Sequence, residues 1–367
     1  MERYYFDHNA TTPVAPAVID AMLPALRDGF GNASSIHQPG QHAKQALECA
    51  RRQTAAFLNC SPKEIVFTSG GTEADNLAIL GVPNGHIVTT NIEHPAVLAA
   101  CRDLDVTYIA ADADGVIHPQ ALRDAIRPST VLVSIMHANN ELGTIQDIKS
   151  LGLIAHKAGA LFHSDGVQAA GKVRLPLSSV DLYSISGHKL NAPKGVGALF
   201  VRKGVELRPR QFGGRHESGR RAGTENVAGA VALGAACDLR RDNRTIGALT
   251  DRLEKGILAK VPQTIVNGAN APRVPNTTNI RFAGIEGEAM VIALDLRGFA
   301  VSSGAACSSG AVEPSHVLIA IGLTRDQAKA SIRFSLGLGN TIEQVDALIE
   351  AVVASAAHLR RLSPVYV

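Results

Sequence analysis

No apolar run in this 367-residue chain approaches the roughly 20 residues that a membrane-spanning helix needs; the longest, "VAGAVALGAAC", falls well short. The opening "MERYYFDHNATT" lacks the basic start and apolar core of a secretory signal, so the chain is expected in the cytoplasm, without direct membrane contact. Basic clusters are equally scarce. Lys and Arg never run longer than a pair and the net charge is only +3, so no nucleic acid partner is expected. The five cysteines (Cys49, Cys60, Cys101, Cys237, Cys307) are odd in number, scattered in spacing and form no CxxC, which argues against a disulfide framework and a structural zinc site. Four of them are expected to act as small core hydrophobes. Internal repeats and low-complexity tracts are also missing.

What is present points to a large folded core. A 46% hydrophobic chain of this length exceeds the size at which single cores stop growing, and a large domain with a smaller companion is expected. Short β-rich runs ("HIVTTNI", "VTYIAAD", "TVLVSIMH", "ALFHSD", "DLYSIS", "GALFV") alternate with stretches of helical periodicity, such as "QHAKQALECARRQTAAFL" and "DIKSLGLIAHKAG". That alternation predicts an α/β fold, a mainly parallel sheet covered by helices, with ligands at the strand ends. Beyond about residue 250 the pattern becomes α+β, ending in a helix whose Thr341 and Gln344 fit a capping box. Residues 226–258 read as one long helix, straight or kinked, joining the two parts.

Two apparent motifs are decoys. "GVQAAGKV" resembles a phosphate-binding loop, but Val173 stands where a magnesium-binding hydroxyl is required. His163, Ser164 and Asp165 are adjacent and cannot turn toward one another as a triad.

Four stretches carry more. "SISGHKLNAPKGVGALFV" places Lys189 just past a strand end, although a lone lysine is usually a solvated charge. "TSGGTEADNLAIL" runs from a strand through Gly70 and Gly71 into a helix near Thr72, either a plain tight turn or a phosphate cradle. Asp165 ends a buried strand, with Gln168 in the next turn; a carboxylate there needs a cationic or hydrogen-bonding partner, and a protonated pyridine would serve. Arg333 sits inside the apolar run "KASIRFSLG", either in a structural ion pair or as a clamp for a substrate carboxylate. Together they describe a pyridoxal phosphate site built for an amino acid. In "VSSGAACSSG", Cys307 is flanked by small residues and glycines, a pliable setting for a thiol.

The chain resembles the cysteine desulfurases of the NifS/IscS type, in class V of the fold-type I pyridoxal phosphate enzymes and in the first subgroup of that family. The resemblance runs through "YFDHNATTPV", "FTSGGTEADN", "EHPAV", "MHANNELGTIQ", "HSDGVQAAGK", "SGHKLNAPKGVGAL", "GGRHESGRRAGTEN" and "SIRFSLG", with "SGHK" and "SSGAAC" the discriminating pair. It implies a seven-stranded, mainly parallel sheet in a large cofactor-binding domain (14–255), and a small α+β domain (1–13 and 256–367) carrying the Cys307 loop and Arg333. It further implies Lys189 as the cofactor-bearing, catalytic lysine, Asp165 on the pyridine nitrogen, Gln168 on the ring hydroxyl and His94 as a catalytic residue stacked on the ring and assisting proton transfer. Asn140 would lie beside cofactor and substrate. Thr72, Ser186 and His188 would hold the phosphate, with Thr224 of a partner subunit, hence a homodimer. Arg333 would bind the substrate carboxylate, with Asn32 nearby.

The implied reaction converts L-cysteine to L-alanine, with sulfur carried as a persulfide on Cys307 to an acceptor such as an iron–sulfur scaffold or a tRNA-thiolation relay. No resident metal is expected, although Cys307 could ligate a transient iron–sulfur cluster in a complex. Gly71 stands where many relatives carry Ala, and either Arg220 or Arg221 could face the site. A selenocysteine lyase, another class-V aminotransferase and a non-catalytic scaffold are the competing readings.

Overall fold

The structure, a computed structural model, describes residues 3–303 and 313–362. In chain order its elements are β1 (Tyr4–Tyr5), α1 (Pro16–Arg27), α2 (Gln38–Leu58), β2 (Ile65–Thr68), α3 (Gly71–Gly81), β3 (His86–Thr90), α4 (Pro95–Cys101), β4 (Val106–Ile109), α5 (Pro119–Ala125), β5 (Thr130–Ser134), α6 (Ile148–Lys157), β6 (Leu161–Asp165), β7 (Leu182–Ser186) and β8 (Gly197–Val201). There follow α7 (Val227–Asp238), α8 (Asn243–Lys260), β9 (Thr264–Val266), β10 (Thr277–Phe282), α9 (Gly287–Asp295), β11 (Phe299–Ala300), α10 (His316–Ala320), α11 (Arg325–Lys329), β12 (Ser331–Ser335) and α12 (Ile342–Leu362).

Seven strands form the main sheet in the order β2-β8-β7-β6-β5-β3-β4, with only β8 antiparallel to its neighbours. This is the α/β architecture that the alternating runs predict. Strands β3, β7 and β8 are buried at every residue, as a sheet covered on both faces requires. One core gathers Leu58, Ile135, Phe162, Tyr183 and Ile185 around this sheet. A separate core, with Phe6, Leu253, Phe282, Phe334 and Val352, lies on the antiparallel sheet β12-β10-β9. The N-terminal segment joins the second core: β1 pairs with β11, and Phe6 is fully buried.

Residues 226–258, expected as one helix, form two. α7 ends at Asp238 and Leu239 turns extended. Asp242 then caps α8, accepting from the Thr245 amide at 3.1 Å. Between them Arg241 donates to the carbonyls of Ala236 and Leu239 at the end of α7 and to that of Leu190, tying the break between the helices to the turn after β7. The capping box before α12 is present, with Thr341 and Gln344 exchanging hydrogen bonds. Among the described residues no helix is long and apolar enough to cross a membrane, and no cluster of three or more His, Cys, Asp or Glu could hold a metal.

Candidate active site

A cavity of about 420 Å³ opens at the carboxyl ends of β6 and β7, facing the N-terminus of α3. Its lining brings together Thr72, His94, Asn140, Asp165, Gln168, Ser186, His188, Lys189 and Arg333, nine of the residues singled out in the sequence. Each arrives from the end of a regular element or a tight turn, except Arg333, which projects from the middle of β12.

Lys189 closes the short turn Gly187–Lys189 that follows β7. Its ammonium donates to the backbone carbonyl of Asn9 and to that of Ala10 at 2.7 Å. Burial, and after it the Arg333 charge, pull the amine down to about 8, against the opposing pull of Asp7 and Asp165. An appreciable fraction is therefore neutral, and nucleophilic, near neutral pH.

Asp165 ends β6 with Oδ1 accepting from the Val167 amide at 2.9 Å. Burial, reinforced by the nearby Asp75, raises its carboxyl to about 7. Asp75 is itself raised by burial to about 7, and its Oδ1 has no hydrogen-bond partner among the described residues. The nearest candidate, His163 Nε2, is 3.5 Å away on a ring that burial holds down to about 4, hence neutral. His163 instead bridges the hydroxyls of Ser134 and Ser184, so it forms no triad with its sequence neighbours. Two buried acids, neither in an ion pair with a lysine or arginine among the described residues, line the cavity.

The wall facing them is the start of α3. Gly70 precedes it at φ 156° and ψ −174°, a conformation that favours glycine, and gives no side-chain cap, so the first-turn amides of Gly71 and Thr72, which line the cavity, are left uncapped. Glu73, in that turn, accepts from the Ser69 amide and from Arg221 Nε at 2.8 Å. Of the two adjacent arginines, Arg221 thus braces the turn from behind, while Arg220 reaches the carbonyl of Lys63. An alanine Cβ at position 71 would lie 2.8 Å from Val167 Cγ2, so Gly71 fits the valine beside it.

His94 caps α4, its Nδ1 accepting from the Ala96 amide at 3.1 Å, which leaves Nε2 to carry the ring proton. Arg333 donates through Nη2 to Asp7 at 2.7 Å and through Nη1 to the carbonyl of Asn140 at 3.0 Å, while its buried Nε has no partner among the described residues. Asn32 and Thr224 are exposed and do not line the cavity within one chain. Cys307 lies outside the described residues.

The chain matches the aminotransferase class-V family over residues 4–348. A cysteine desulfurase of Gluconacetobacter diazotrophicus is 48% identical to it, covering 99% of this chain and 96% of that protein. The chain belongs to the class-V aminotransferases. A solved NifS-like protein from Rickettsia africae superposes with a TM-score of 0.89 at 34% identity, covering 97% of this chain and 100% of that one. A structure described as SspA in complex with cysteine gives 0.82 at 36% identity, over 91% of this chain and 98% of that chain.

Class-V enzymes depend on pyridoxal phosphate, and the residues here fit it. The uncapped glycine turn suits a phosphate, the buried acids form no ion pair with a lysine or arginine among the described residues and would suit a pyridinium, and a depressed lysine lines the same cavity.

Asn9, Asp7 and Asp75 escape the sequence reading although each lines the cavity or braces its lining. For Asp75 a signal existed: it stands one helical turn after Thr72 and so shares its face. Asp7 and Asn9 lie in an irregular segment with no periodicity to place them.

Proposed function

We propose that this chain is a cysteine desulfurase that converts L-cysteine to L-alanine and carries the sulfur as a persulfide on Cys307. The observation that carries this reading is the meeting of Lys189, Asp165 and Arg333 in one cavity. The bound cofactor supplies an electron sink for the charge that develops at the substrate α-carbon.

In this reading Arg333 holds the substrate carboxylate, with Asn140 and Asn32 nearby. Lys189, in its neutral form, takes the α-proton. Asp165 would hold a proton on the ring nitrogen of the bound cofactor, Gln168 would donate to its ring hydroxyl, and His94 would pack beside it. Thr72, Ser186 and His188 hold the phosphate together with Thr224 of the partner subunit, which makes the working unit a homodimer. The Cys307 thiolate attacks the substrate sulfur. An S–S bond forms, the C–S bond breaks with its electron pair passing to carbon, and protonation there yields alanine. The division into 14–255 and a small domain of 1–13 and 256–367 lets the smaller unit bring Arg333 and Cys307 to the larger one. The sulfur then passes, in the cytoplasm, to an acceptor protein for iron–sulfur cluster assembly or tRNA thiolation.

Incubation with L-cysteine and a reductant tests the reading. Alanine and sulfide should form in equal amounts, and Lys189→Ala should abolish both. Formation of neither by the native protein would overturn it, and turnover of selenocysteine alone would favour a selenocysteine lyase.

A further inference from the structure

Lys172 has no part in the roles assigned above, yet it is built into the same cluster. The turn after β6 sets it beside Gln168: Lys172 Nζ donates to Gln168 Oε1 at 2.8 Å and to Asn9 Oδ1 at 3.2 Å. The Asn9 amide is fixed independently, because its Nδ2 donates to Thr277 Oγ1 at 2.8 Å and to the carbonyl of Asn140 at 3.1 Å. Gln168 Nε2 donates to the Asn9 carbonyl at 2.9 Å, the same carbonyl that receives the Lys189 ammonium. A primary ammonium or amine has at least two hydrogens to give, enough for both oxygens in either charge state. The Gln168 carbonyl is thereby held away from the cavity that the residue lines, and the second hydrogen of Nε2 remains for a ligand.

We propose that Lys172 is a positioning residue that backs the Gln168 amide, so that its N–H faces the ring oxygen of the cofactor and favours loss of the bound cofactor's proton. This rests on the pyridoxal phosphate reading given above. Hydrogen bonds in a chain polarise one another, so a donor behind the carbonyl strengthens donation by the nitrogen. Without Lys172 the Gln168 carbonyl is buried with no donor and its terminal torsion is released. Donation to an oxygen bearing negative charge then weakens, and the protonated cofactor gains. The other charged or titratable groups around Lys172 are His8, Lys189, Arg241, Asp242 and Arg333. Burial, then the Lys189, Arg333 and Arg241 charges, draw Lys172 down to about 7.

The test is a pH titration of the visible absorption of the holoprotein. Lys172→Met should raise the midpoint by about one pH unit, the equivalent of one hydrogen bond. Lys172→Arg should restore the midpoint, Gln168→Leu should raise it alone, and Lys172→Met should add nothing in a Gln168→Leu background. An unshifted Lys172→Met, or the same added shift without Gln168, would overturn the proposal while leaving the cofactor reading intact. A native protein that takes up pyridoxal phosphate with no visible band lost in Lys189→Ala would remove that reading, and the proposal with it.

Discussion

Arg333 and Asp7 are joined at 2.7 Å across the junction of β12 with the N-terminal segment, and the pairing leaves the guanidinium only partly engaged. Of the two outcomes foreseen for an arginine in that strand, the ion pair is the one seen directly. The buried Nε of Arg333 has no partner among the described residues.

Arg333→Lys keeps the charge but loses the planar fork that can hold Asp7 and a carboxylate together. A hydrogen bond to a charged group contributes about 1.5–3 kcal/mol, so kcat/KM for L-cysteine should fall about tenfold to a hundredfold, chiefly through KM. Steady-state kinetics check this; an unchanged KM would count against the clamp.

His94 both caps α4 and faces the cavity. Asparagine can cap equally well but has no ring, so His94→Asn should retain native stability while losing turnover. His94→Ala should lose turnover and also about 1 kcal/mol of stability with the cap. Denaturant unfolding measured alongside alanine production separates the two roles.

The depressed Lys189 amine sets the pH dependence of cofactor uptake. Its protonated form is unreactive, so the rate at which the cofactor-free protein develops visible absorption should climb with pH and level off above about 8. A rate still climbing toward the usual lysine range near 10.4 would contradict the assigned environment.

Asp165 gives a stability prediction with a definite sign. Its folded carboxyl is raised by burial to about 7, so the cofactor-free fold keeps a proton that the unfolded chain releases near 4. The contribution is fully present below pH 4 and is lost as pH rises through 7. The cofactor-free Asp165→Asn variant, which has nothing to ionise, should gain stability relative to the native chain by a few kcal/mol between those limits and no more above them. Chemical denaturation across that range tests it, and a difference that does not vary with pH would contradict it.

Much of this was legible in the sequence because strands of a sheet covered by helices are written as short, largely apolar runs between turn residues: the strands β3 to β8 lie where "HIVTT", "VTYI", "TVLVS", "LFHSD", "LYSIS" and "GALFV" place them. Lys189, Asp165 and Thr72 stand at element ends, where turn chemistry marks position. The helix expected over 226–258 failed because apolar periodicity continues across "RRDN", whereas Asp242 is decided by its capping bond to Thr245. Lys172 and Asn9 were illegible for a different reason. Lys172 stands only four residues from Gln168, but Asn9 is remote from both, and only the closed fold shows that a lysine and an N-terminal asparagine together brace Gln168.

The central claim concerns where the sulfur goes. Peptide mass spectrometry of the holoprotein after brief exposure to L-cysteine without reductant addresses it directly. The account predicts a gain of one sulfur atom on the peptide containing Cys307, none on those of Cys49, Cys60, Cys101 or Cys237, and loss of the adduct in Lys189→Ala. Alanine formed in full yield by Cys307→Ala, with the sulfur released as free sulfide, would contradict it.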